Sequence, residues 1–127
     1  MRCCVINTQI KANMLSNREI FEKVKNHLLT QNARSESDDG LSCLYRGPNG
    51  LKCAVGCLIK DEYFSEYFFK NFNTAKVSDK DVLHVLELSG VSVDNLELLR
   101  GLQGIHDYSP VVDWKEKLER IRLRYNL

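Results

Sequence analysis

Val111, Trp114, Leu118, Ile121 and Tyr125 recur at steps of three and four toward the end of the chain, and only an α-helix brings residues at that spacing onto one face. This stripe limits what the rest can be, because a helix with a tryptophan at the centre of its apolar face needs a broad apolar surface to cover it. Ser109-Pro110 supplies the start, a cap followed by proline at the first helical position.

The covering surface is written upstream in the same code. Ser16-Asn17-Arg18-Glu19 is a capping box, in which the Ser16 hydroxyl takes the Glu19 backbone N–H and the Glu19 carboxylate reaches back. Ile20, Phe21, Val24 and Leu28 then predict a helix to about Asn32, with His27 beside the stripe. Ser78-Asp79-Lys80-Asp81 opens another helix, with Val82, Leu83, Val85, Leu86 and Leu88 inside and Gly90 as its C-terminal cap. Asp94, with Glu97 three residues on, opens the next, buried through Leu96, Leu99, Leu102 and Ile105. At 127 residues the chain has the size of one domain with one core. Residues 14–127 are read as that domain and residues 1–13, which lack either periodicity, as a loose leader before a second possible start at Met14.

One segment reads differently. Ser42–Arg46, then Gly47-Pro48-Asn49-Gly50, then Leu51–Val55 predicts strand, turn, strand, since Pro-Asn-Gly fixes one φ and tolerates positive φ after it. From about Ala54 the pattern predicts a helix running into Asp61–Phe72, because Gly56 within a strand would waste a packing position. The expected fold class is α+β, about five helices packed against one β-hairpin, with Ser35–Gly40 as an exposed loop.

Charge and cysteine usage narrow the function classes. A net charge of +1 removes the broad attraction to nucleic acid that a strongly basic domain has, and a nucleic-acid partner is not expected. Acids outnumber bases over residues 61–97, while bases outnumber acids over 1–34 and 98–127. No apolar run approaches the roughly 18 residues that cross a bilayer, and the start lacks a signal peptide's pattern. Five cysteines, an odd number with Cys3 and Cys4 adjacent, do not resemble a secreted disulfide framework, so a reducing cytoplasm is the expected location.

The densest chemistry lies in Cys43–Ile59, with Gln103-Gly104-Ile105-His106-Asp107 as a second element. Cys43, Cys53, Cys57 and His106 offer the donors of a Cys₃His metal site, but with spacings unlike those of zinc knuckles. Cys53 and Cys57, four apart, suit small apolar core residues equally well. A cysteine enzyme would use Cys53 or Cys57 with His106 as base and Asp107 to orient it. Against that, adjacent side chains on a helix diverge, so Asp107 is poorly placed to hold His106. Gly47–Gly50 lacks the lysine and hydroxyl of a phosphate loop, and no cofactor is expected. Arg46 and Lys52, side by side across the turn, could grip a small anionic ligand. Tyr63, Phe64, Tyr67, Phe68, Phe69 and Phe72 crowd ten residues, more aromatic surface than one buried face can use, and suit a protein interface.

The run Tyr45–Ile59, YRGPNGLKCAVGCLI, and the later Leu102–Asp107, LQGIHD, resemble a set of small proteins of bacteriophages and bacteria over roughly residues 14–125. The resemblance implies a phage or mobile-element origin and says little about chemistry. Together with the absence of an assembled catalytic motif, it leads to the expectation of a non-enzymatic accessory factor in the host cytoplasm. Such a factor would bind and antagonise a host protein, one of host defence, through Tyr63, Phe64, Tyr67, Phe68 and Phe69 with Arg46 and Lys52. The alternatives are the cysteine enzyme and the anion binder.

Overall fold

The computed structural model describes residues 14–127. The leader assigned to residues 1–13 lies outside them. Helix α1 (Asn17–Gln31) starts at the capping box, where the Glu19 N–H donates to Ser16 Oγ at 3.2 Å and the Ser16 N–H to Glu19 Oε1 at 3.0 Å. It ends at Asn32, whose N–H makes the last helical bond, to the Leu28 carbonyl, and whose left-handed φ of 52° turns the chain out of the helix. Ile20, Phe21, Val24 and Leu28 are buried as the spacing requires.

Four more helices follow: α2 (Glu66–Phe72), α3 (Lys80–Leu88), α4 (Leu96–Tyr108) and α5 (Trp114–Arg124). Ser65 caps α2 and Asp79 caps α3. Asn95 rather than Asp94 caps α4, its Oδ1 taking the Leu98 N–H at 3.1 Å. A short 3₁₀ turn, Val111–Asp113, follows Pro110 and leads into α5. The core lies where α1, α4 and α5 pack on one another. Trp114 is completely buried there, with its indole N–H donating to the Ser109 carbonyl. At Gly101 a Cβ would stand 3.1 Å from Ile121 Cδ1, so the absence of a side chain lets α4 and α5 approach. Leu88, expected inside, lies exposed at the end of α3.

The expected α+β class is overturned: among the described residues the fold is helical, with five helices and no strand. The turn itself forms. Asn49 takes φ 59° and Gly50 φ 76°, the Gly47 N–H reaches the Leu51 carbonyl, and Arg46 and Lys52 make one antiparallel bridge. Pairing stops there because other partners hold the neighbouring backbone groups. The Tyr45 N–H donates to the Asn73 carbonyl, the Arg46 N–H to Asn73 Oδ1, and the Lys52 N–H to Gln31 Oε1. The Val55 N–H donates to Gln103 Oε1. A second isolated bridge, Glu36 to Cys43, sits where a plain loop was expected.

The helix expected from Ala54 into Phe72 is also corrected. It is broken into 3₁₀ turns at Gly56–Leu58 and Asp61–Tyr63 before α2, with Ile59 and Lys60 extended. The Arg46 guanidinium donates to the Gly56 and Ile59 carbonyls at 2.8 and 2.7 Å, and the Lys60 N–H donates to Ser89 Oγ. These are groups a continuous helix would have paired internally. Gly56 is required for a reason unconnected with secondary structure: a Cβ there would lie 2.2 Å from the Tyr45 carbonyl oxygen.

Candidate functional site

Helix α4 carries three polar residues into its packed side, at Gln103, His106 and Asp107. The Ser35 backbone N–H donates to His106 Nε2 at 2.9 Å, so that nitrogen carries the lone pair and the proton sits on Nδ1. Nδ1–H then donates to Asp107 Oδ1 at 2.8 Å. The same oxygen accepts from Gln103 Nε2 at 2.8 Å, while Gln103 Oε1 holds the Val55 N–H. Asp107 is thus the hub of a relay tying two loop segments to α4. The expected divergence of adjacent side chains does not keep Asp107 from His106; the two meet directly. Sequence reasoning named Gln103 in the same element as His106 and Asp107 but gave it no role, although its place four residues before Asp107 on an apolar helix was a readable signal, and it read Ser35, which is buried, as part of an exposed loop.

Cys43 joins the hub. The nearest potential ligand atoms of Cys43, His106 and Asp107 lie within 4.8 Å of one another. Burial first, then the Asp107 carboxylate, pushes the Cys43 thiol up to about 11. Cys53 and Cys57 are not in this group. Cys53 is fully buried, its sulfur accepts the Gly56 N–H, and burial drives its pKa upward. Cys57 donates to the Ala54 carbonyl, and burial raises it to about 12. The Cys₃His set is therefore not brought together. A metal on His106 Nδ1 would move the ring proton to Nε2, against the Ser35 N–H, so this ring is poorly suited to ligation as well as to base catalysis.

Asp107, Cys43, Thr74 and the exposed ring of Tyr108 line two adjoining pockets of about 330 and 160 Å³. Leu41 and Arg34 line the larger. The Arg34 Nη2 donates to the Ser109 carbonyl, while its buried Nε has no partner among the described residues.

Arg46, expected to grip a ligand, holds the fold instead. Besides its two carbonyls it pairs with Asp61 at 3.0 Å and lies 4.9 Å over the Phe64 ring, with only 13% of its side chain exposed. Lys52 meets the same Asp61 oxygen at 3.6 Å. The aromatic run divides. Phe68 is buried and Tyr63 and Phe64 are half-buried, whereas Tyr67 is 70% and Phe69 51% exposed. Five of the rings form one connected cluster: Phe64 edge-on to Phe68 at 4.9 Å and to Phe69 at 6.1 Å, with Phe72 against both Phe68 and Tyr67.

No protein-family model, curated protein or solved structure matches the chain. No helix among the described residues is long and apolar enough to cross a membrane.

Proposed function

We propose that the chain is a non-enzymatic protein-binding factor whose partner docks on the aromatic edge formed by Tyr67 and Phe69. The observation that carries this reading is the exposure of those two rings on a cluster whose other members are held by packing. Rigid aromatic area is the usual energetic centre of a protein interface, because it desolvates well and loses little side-chain entropy. The cysteine-enzyme alternative is disfavoured by chemistry. Burial raises the pKa of Cys53 and Cys57, which disfavours the reactive thiolate, and both nitrogens of His106 are engaged. The biological setting rests on the resemblance of the Tyr45–Ile59 and Leu102–Asp107 motifs to phage and bacterial proteins. In that setting the partner is a host protein, with a defence protein the leading candidate.

Affinity capture from host lysate, with the double variant Tyr67→Ala/Phe69→Ala as control, tests this. The proposal predicts one polypeptide retained by the parent and by Cys43→Ala, and lost with the aromatic variant. Retention by the aromatic variant and loss with Cys43→Ala would place the interface at the Asp107 pockets instead.

A further inference from the structure

Beside the aromatic edge lies a groove of about 410 Å³ whose lining brings together Lys23 of α1, Lys52 after the turn, and Lys60, with Cys57 also on its lining. Positive charge there is in excess. Arg46 and Lys52 share a single carboxylate, Asp61, which is itself 84% exposed. Lys23 and Lys60 have no carboxylate partner among the described residues. Lys23 comes to the groove from α1, whereas Lys52 lies across the turn from Arg46, to which it is bridged.

A chain of contacts links the groove to the aromatic cluster. Lys52 touches Asp61, Asp61 touches Arg46, the Arg46 guanidinium covers Phe64, and Phe64 packs against the exposed Phe69. Asp61 and Glu62 share the lining with the lysines, in the acid-rich stretch of the chain. A polyanion such as nucleic acid needs an extended track of cations, which one groove with three lysines does not offer. A short acidic segment of protein meets no such obstacle, because its carboxylates pair with the lysines and its apolar neighbours reach the rings.

We infer that the partner of the proposed interface presents an acidic segment to this groove, its carboxylates among Lys23, Lys52 and Lys60 and a following apolar side chain on Phe69. The inference rests on the protein-binding reading and adds the chemistry of the partner. Asp61 then acts as an internal stand-in, occupying Lys52 until a partner carboxylate competes for it.

The test is an amide-shift titration of the isotope-labelled full chain with four probes: a synthetic peptide alternating glutamate and leucine, the same peptide with lysine for glutamate, inorganic phosphate, and a thymidine oligonucleotide. The glutamate peptide should move the amides of Lys23, Lys52, Cys57, Lys60 and Phe69, and the lysine peptide should not. Lys23→Glu/Lys60→Glu, both at exposed positions, should weaken glutamate-peptide binding by roughly tenfold or more. Shifts centred on α5, unchanged affinity in the lysine variant, or equal or tighter binding of phosphate or oligonucleotide would overturn the inference. Failure here is separable from failure of the underlying reading. If Tyr67→Ala/Phe69→Ala abolishes partner capture while Lys23→Glu/Lys60→Glu leaves it intact, only the acidic segment is refuted; if neither matters, the aromatic interface is refuted too.

Discussion

Gly56 and His106 show how single residues are fixed by backbone they contact rather than by the element they occupy. Gly56→Ala must push a methyl against the Tyr45 carbonyl, and neither side is a flexible chain end that could yield. A loss of about 1–3 kcal/mol is expected, the usual cost of forcing extra volume into a packed site, read as a lowered urea midpoint. His106→Ala removes the only observed acceptor of the buried Ser35 N–H; leaving that donor unpaired should cost about 1–3 kcal/mol before any cavity is counted. Thiol titration adds a pH signature. Cys43 and Cys57 are raised to about 11 and about 12 from an ordinary 9.0, so the folded chain keeps protons that the unfolded chain releases. Stability from this source is complete below the unfolded value and is lost as pH rises past it toward the folded ones. Urea midpoints should therefore fall above about pH 9, and fall less steeply in Cys43→Ala/Cys57→Ala.

At the scale of elements, helices α1, α3 and α5 were legible because 3.6-residue periodicity and caps are local properties of sequence. Ser16 with Glu19, Asp79, and the stripe through Trp114 each specify their helix without reference to anything distant. The hairpin was not legible. Its turn chemistry was read correctly, but whether strands continue past a turn depends on who takes the next N–H, and here Asn73, Gln31 and Gln103 do. The same holds for the broken helix after Ala54, interrupted by an arginine ten residues upstream. Two expectations follow. Trp114→Ala should cost about 3–5 kcal/mol as a large buried cavity, whereas Leu123→Glu on the outer face of α5, where Leu123 is exposed, should change stability by less than about 0.5 kcal/mol. Arg46→Ala should speed amide hydrogen exchange across residues 56–60, since the carbonyls of Gly56 and Ile59 lose their shared partner. Unchanged exchange there would show that the clamp is dispensable.

Across the whole molecule, the residues rich in chemistry serve two different ends. Among the described residues Cys53, Cys57 and His106 are spent on structure, each buried or hydrogen-bonded, and the α4 relay through His106 anchors loops rather than presenting a nucleophile. The aromatic run is split by helix α2 into inward rings and the solvent-directed Tyr67 and Phe69, to which contacts link the lysine groove, while Tyr108 is a further exposed ring at the Asp107 pockets. Sequence showed the aromatic surplus but not which rings face outward, since that depends on how a seven-residue helix docks. It also left Lys23 and Lys60 unconnected, because they come together only when α1 packs against the Gly56–Leu58 turn. The most direct test is calorimetric titration of the captured partner into the parent, Tyr67→Ala/Phe69→Ala, and Cys43→Ala/Cys57→Ala, each first shown to be folded. Loss of about 2 kcal/mol or more of binding energy in the aromatic variant, with the cysteine variant unchanged, is the predicted result. An aromatic variant that binds as tightly as the parent, with the cysteine variant impaired, would contradict the account.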